Sequence, residues 1–180
     1  MLPKKRLKRG LVQVYTGDGK GKTTAALGLA LRAIGQGFSV YMIQFLKGSK
    51  ATGEFKMAKR LSPNLIVKPM GRNVFVDSRR PAKIDEEVAK RGLGLARKVI
   101  MGGDYDIVML DEVNVAVHMG LIPIEDLLHL IQQKPPHVEL VLTGRYAKPQ
   151  IIDRADLVTE MRNVRHYYDK GVKARRGIEI

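Results

Sequence analysis

The chain contains no cysteine and no tryptophan, and aromatic residues make up only 6% of its 180 residues. Without cysteine there is no disulfide framework and no thiolate metal site, which suits a reducing compartment. The densest basic runs, residues 4–9 and 173–176, are not interleaved with aromatics as a single-strand nucleic-acid platform would be. No apolar run approaches the roughly 20 residues needed to cross a bilayer. The basic opening MLPKKRLKRG lacks the apolar stretch and small-residue cleavage site of a secretory signal. These absences point to a cytoplasmic protein with no membrane partner. Acidic residues are also scarce: 18 Asp and Glu stand against 32 Lys and Arg, for a net charge of +14. Such an excess favours polyanions, whether nucleic acid, an anionic membrane or a small substrate carrying phosphates or carboxylates, and equally describes a lysine-rich soluble surface.

What is present is ordinary for one globular domain, with 44% hydrophobic and 28% charged residues. No repeat or linker divides the chain, so one domain is expected over residues 1–180, with a basic arm at 1–10 and a polar tail at 163–180. Short apolar runs at 11–16 (LVQVYT), 38–46 (FSVYMIQFL), 65–67, 106–110 (DIVML), 138–143 (VELVLT) and 157–161 read as strands. Between them, residues 24–34 and 84–100 read as helices, the second with Ile84, Val88, Leu95 and Val99 on one face. Another helix opens with Pro123 as its first residue and closes before Pro135. Strands that alternate with helices, and are apolar without internal alternation, imply a mainly parallel sheet covered on both faces. Ligands of such sheets bind outside the carboxyl ends of the strands.

The first strand runs into Thr16-Gly17-Asp18-Gly19-Lys20-Gly21-Lys22-Thr23-Thr24. This fits the phosphate-loop pattern G-x-x-x-x-G-K-[ST] except that Thr16 stands at the opening glycine. Gly19 and Gly21 allow close backbone approach, successive N–H groups can form an anion nest, and the next helix points its positive end at the loop. Lys22 supplies a mobile charge for phosphates, and the Thr23 hydroxyl can ligate Mg²⁺. Lys20 reads as a second phosphate contact or as a solvated lysine. The apolar strand at 106–110 delivers Asp111 and Glu112, which is where phosphate-loop proteins hold their metal. Which of the two touches the metal stays open. His118, His129, His137 and His166 show no ligand spacing, so a zinc site is not expected.

Taken in order, residues 17–24 (GDGKGKTT), 44–48 (QFLKG), 108–112 (VMLDE), 143–145 (TGR), 171–174 (GVKA) and 177–178 (GI) resemble the phosphate-loop branch of the ATP:corrinoid adenosyltransferases. The resemblance runs from about residue 10 to the C-terminus. It implies a three-layer P-loop NTPase-like (RecA-like) α/β domain that moves the 5′-deoxyadenosyl group of ATP to cobalt(I) of cobyrinic acid a,c-diamide or cobalamin, releasing triphosphate. It further implies ATP as co-substrate, Mg²⁺ or Mn²⁺, an electron donor for cobalt, and a homodimer. Lys22, Thr23 and Glu112 would be catalytic, and Thr23, Asp111 and Glu112 would hold metal. Gly17, Asp18, Gly19, Lys20, Gly21, Lys22, Thr23, Thr24, Arg145 and Lys173 would bind the ligands. Because C5′, not the γ-phosphorus, is attacked, the triphosphate is expected to lie in an unusual orientation in its loop. Lys47, Arg72, Arg79 and Arg80 are further candidates for the carboxylates of the corrinoid. The chain departs from the family in its short N-terminal extension and in lacking Trp after the third strand, where residues 71–77 offer only Phe75. The rival readings are a basic phosphate-loop ATPase acting on nucleic acid and a nucleotide-dependent regulatory protein.

Overall fold

The computed structural model describes residues 6–74 and 81–179. Six strands form one sheet in the order β3-β2-β4-β5-β1-β6, and every pairing is parallel. The strands are β1 (Val12–Thr16), β2 (Val40–Phe45), β3 (Leu65–Met70), β4 (Ile107–Asp111), β5 (Glu139–Thr143) and β6 (Leu157–Glu160). The helices are α1 (Lys22–Gly35), α2 (Gly53–Leu61), α3 (Lys83–Gly102), α4 (Val113–His118), α5 (Ile124–Gln133) and α6 (Pro149–Ile152), followed by a 3-10 turn at Tyr167–Lys170.

The continuous apolar strands are explained by two cores, one on each face of the sheet. Val108 and Leu110 of β4 join Leu140 and Leu142 of β5 beneath α3, α4 and α5, where Ala96, Ala116 and Leu127 are buried. Ile107 and Met109 turn the other way, with Val40 and Met42 of β2, onto Ala26, Ala30 and Ala33 of α1 and Ala58 of α2. Each central strand therefore buries both sets of side chains, as a parallel sheet between two helical layers requires. Among the described residues no helix is long and apolar enough to cross a membrane.

Helix α3 lies differently from its sequence pattern. The stripe facing the sheet is Asp85, Ala89, Gly92, Ala96 and Ile100, whereas Ile84 is exposed and Val88, Leu95 and Val99 are half-buried along the flanks. Small residues win this face because the helix packs closely: a Cβ at Gly92 would stand 2.8 Å from the Phe45 ring. Pro123 caps α5 instead of opening it. Helices α2, α4 and the short α6 add to the three expected from the sequence. Parallel register brings the carboxyl ends of β1, β2, β4 and β5 to one edge of the sheet, and the candidate site is built there.

Candidate functional site

The loop between β1 and α1 closes on itself through Lys22. This side chain is 7% exposed, and its Nζ donates to the Gly17 and Gly19 carbonyls, at 2.7 Å each. Burial lowers the Lys22 pKa; Glu112 opposes that effect and Arg145 adds to it. The loop also leans on the chain that leaves β6. The Gly19 N–H donates to the Met161 carbonyl at 2.6 Å, so one amide expected to face an anion is occupied inside the protein. A Cβ at Gly17 would fall 2.4 Å from the Met161 carbonyl oxygen, and one at Gly19 2.6 Å from that of Arg162. These glycines thus serve the packing of loop against strand as well as any ligand. Gly17 (φ 92) and Gly21 (φ 127) take backbone angles that other residues rarely adopt.

Helix α1 carries Thr23 one residue past the loop lysine, over the end of β4. There Thr23 Oγ1 donates to Asp111 Oδ1 at 2.8 Å. Strand order sets the rest of the Asp111 shell. β4 lies between β2 and β5, with Gln44 paired to Asp111 and Leu142 paired to Leu110. Gln44 Nε2 therefore reaches Asp111 Oδ2 at 3.2 Å, and Thr143 Oγ1 donates to Oδ1 at 2.7 Å. Lys47, just beyond β2, completes the set with its Nζ 2.7 Å from Oδ2. Asp111 is fully buried. Desolvation favours its neutral form, but Lys47 and the two hydroxyl donors outweigh it and hold the pKa below the usual carboxylate range. Burial likewise works against the Lys47 ammonium, yet Asp111, with help from Glu112 and Glu54, leaves its pKa raised.

Glu112 is the least comfortable member. Its backbone is left-handed (φ 60), a strained position for a non-glycine residue, and its N–H donates to Thr143 Oγ1 at 3.0 Å. Burial, and then the Asp111 charge, raise its pKa. The strained turn allows the carboxylate to line the cavity while Asp111 stays beneath it.

That cavity, about 460 Å³, opens along the loop. Gly19, Lys20, Gly21, Lys22, Thr23 and Thr24 form one wall; Lys47, Glu54, Glu112 and Arg145 stand across it, and His166 with Gly177, Ile178 and Glu179 closes one side. The tail segment is fastened by Glu179, which accepts from the Tyr167 hydroxyl and the Arg175 guanidinium; these bonds hold its pKa down at about 2. Gly17, Asp18 and Lys173 do not line the cavity, and Asp18 and Lys173 are exposed. Arg72 forks onto buried Asp85 with contacts of 2.6 and 2.7 Å. Phe75, Arg79 and Arg80 lie outside the described residues. Sequence reasoning missed Thr143 and Gln44 as partners of Asp111, and Glu54 as a lining residue. The signal for Gln44 and Thr143 was their presence in the QFLKG and TGR strings; Glu54 carried none. Among the described residues no three His, Asp or Glu side chains form a metal cluster.

The sheet order and the loop-to-helix junction define a P-loop-like α/β domain with a ligand cavity at the carboxyl edge of its sheet. The model of the family described as ATP:corrinoid adenosyltransferase BtuR/CobO/CobP matches residues 8–180. The chain is 35% identical over 175 residues to the corrinoid adenosyltransferase of Pseudomonas aeruginosa, spanning 97% of this chain and 86% of that protein. It is 34% identical over 171 residues to that of Escherichia coli strain K12, spanning 95% and 86%. With the corrinoid adenosyltransferase of a Sinorhizobium species it shares 34% over 174 residues, spanning 96% and 81%. The chain belongs to the ATP:corrinoid adenosyltransferase family, which does not favour a nucleic-acid ATPase or a regulatory switch.

Proposed function

We propose that this protein transfers the 5′-deoxyadenosyl group of ATP to the cobalt(I) of a corrinoid, cobyrinic acid a,c-diamide or cobalamin, and releases triphosphate. The observation that carries the reading is the cavity itself. A loop of the phosphate-binding type forms one wall of a cavity of about 460 Å³, and Lys47, Glu112 and Arg145 line it as well. Cobalt(I) is already a nucleophile, so no general base is needed. The loop amides, Lys22 and Arg145 stabilise negative charge that grows on the leaving triphosphate as the C5′–O bond breaks. Holding C5′ in line with the cobalt supplies much of the remaining acceleration.

Thr23 Oγ1, Asp111 and Glu112 are hard oxygen donors of the kind Mg²⁺ or Mn²⁺ takes alongside phosphate oxygens. Thr23 donates its proton to Asp111, which leaves a hydroxyl lone pair for the metal and suits Asp111 to an outer, orienting role. Bound there, the cation would supply further neutralisation of the leaving group. The triphosphate lies so that C5′, rather than the γ-phosphorus, faces the corrinoid. Lys20 and Thr24 line the same wall and serve as further phosphate contacts, whereas Lys173 acts only if the tail moves. We place the enzyme in the cytoplasm as a homodimer, supplied by an electron donor that reduces cobalt.

Anaerobic incubation of the protein with ATP and chemically reduced corrinoid tests this. The expected products are a corrinoid with the visible spectrum of a cobalt–carbon bond and one equivalent of triphosphate. Orthophosphate without alkylated corrinoid would overturn the proposal.

A further inference from the structure

Among the described residues Lys47 is the lysine that bonds to Asp111. Its Nζ lies 2.7 Å from Asp111 Oδ2 and 3.4 Å from Thr23 Oγ1, so a cation already stands against the hydroxyl and carboxylate of the proposed metal site. The carboxylate beneath it is fully engaged. Oδ1 accepts from Thr23 and Thr143, and Oδ2 accepts from Gln44 and Lys47. Thr143 and Gln44 are buried at the ends of strands and cannot withdraw. Lys47, by contrast, is on a flexible four-carbon stem, its side chain is 32% exposed, and it lines the cavity. A divalent cation arriving at Thr23 therefore has one movable competitor.

We propose that Lys47 is a built-in counter-cation that occupies the metal position in the nucleotide-free protein and swings into the cavity when metal and nucleotide arrive together. The proposal rests on Thr23, Asp111 and Glu112 being the metal site. It has a consequence for the order of binding. The displaced ammonium must replace Asp111 with other anions: Glu112 is drawn to the metal and Glu54 already accepts from Gln44, so phosphate is the partner that restores the lost ion pair in full. Metal alone must therefore pull Lys47 from Asp111 with only partial compensation, whereas a metal–nucleotide complex brings the rest with it. Lys47 couples the two ligands, so that the metal enters with the nucleotide and not before it.

The test titrates Mn²⁺, read by the loss of its free-ion electron paramagnetic resonance signal, into full-length wild type, Lys47→Gln and Lys47→Arg without nucleotide. Lys47→Gln should bind Mn²⁺ at least about tenfold more tightly than wild type, and Lys47→Arg, which keeps the competing charge, should stay within about threefold. Equal or weaker Mn²⁺ binding by Lys47→Gln, with its circular dichroism and melting intact, would overturn the proposal, as would no detectable Mn²⁺ binding by that variant. Lys47→Met gives the same reading if the glutamine variant does not fold. A parallel titration with ATP present separates the two levels. If Thr23→Val binds Mn²⁺ with ATP as well as wild type does, the metal site itself is misassigned and the proposal falls with it. If Thr23→Val loses that binding while Lys47→Gln shows no gain, only the role of Lys47 is wrong.

Discussion

Thr143 lets the electrostatic frame of the site be tested through stability alone. The side chain is 0% exposed, and its hydroxyl performs two tasks: it donates to Asp111 Oδ1 at 2.7 Å and accepts the Glu112 N–H at 3.0 Å. Thr143→Val keeps the volume and removes both. Losing a hydrogen bond to a buried carboxylate costs about 1.5–3 kcal/mol, and leaving the Glu112 N–H without a partner adds about 1–3 kcal/mol. The two losses share one atom, so a total of about 3–5 kcal/mol is expected. For a chain of this size about 2–4 °C is lost per kcal/mol, which places the fall in melting temperature at about 6–20 °C. Thr143→Ser keeps the hydroxyl and removes one methyl, worth about 1 kcal/mol. Thermal and urea unfolding, followed by circular dichroism without ligands, measures both variants. A valine variant within about 1 kcal/mol of wild type, or a serine variant that falls as far as valine, would refute the account of Thr143 as the link between Asp111 and the strained Glu112 turn.

Replacing Lys22 by Ala should reduce adenosyl transfer by at least about a hundredfold, because a charged donor to the leaving group is lost; the fold should persist, and circular dichroism alongside the transfer assay separates the two. Glu112→Gln should stabilise the metal-free protein while lowering transfer. The folded pKa of Glu112 is raised above 4.5, so its contribution to stability is present below pH 4.5 and is lost as pH rises through the higher folded value. The melting temperatures of the two proteins should therefore coincide near pH 4 and separate as pH rises; a constant gap would argue against burial of the ionised carboxylate. Gly19→Ala places a Cβ 2.6 Å from the Arg162 carbonyl oxygen, and relieving that overlap should cost about 1–3 kcal/mol in urea unfolding. If alanine there is neutral, the loop does not pack on the exit of β6 as described.

The central strands were legible because burial on both faces leaves an unbroken apolar run, as in Val108–Leu110 of β4. The phosphate-type loop was legible for a similar reason: Lys22, Thr23 and the glycines lie within nine consecutive residues, and their geometry is local. Helix α2 was not, since only Ala58 of Gly53–Leu61 is buried and Lys56, Lys59 and Arg60 obscure any apolar stripe. Helix α4 hides in VNVAVH, where β-branched residues suggest a strand; the left-handed turn at Glu112 makes it a helix. The face of α3 was misread because large apolar residues draw attention, although small ones decide how closely a helix can approach a sheet. The environment of Asp111 was the least readable part. Gln44, Lys47 and Thr143 stand 67, 64 and 32 residues from it, and only the placement of β4 between β2 and β5 brings them together.

The same neighbourhood bears on the net charge of +14, which is easily credited to the ligand site. The cavity wall is in fact nearly balanced. Lys20, Lys22, Lys47 and Arg145 face Glu54, Glu112 and Glu179, with Asp111 directly behind. Two of these cations are already bonded, Lys22 to loop carbonyls and Lys47 to Asp111. Among the described residues the basic excess therefore lies outside this cavity, where it attracts anions at long range but does little to neutralise a bound polyphosphate at short range. A triphosphate entering alone would meet Glu54 and Glu112 across the cavity, with Lys20 and Arg145 as the lining Lys and Arg side chains not already bonded among the described residues. One entering with its own divalent cation would meet Thr23 and Glu112 as the proposed ligands and, on the proposal above, would free Lys47 for the phosphates. A balanced cavity beneath a basic surface is thus the arrangement expected of a site that takes its nucleotide as the metal complex.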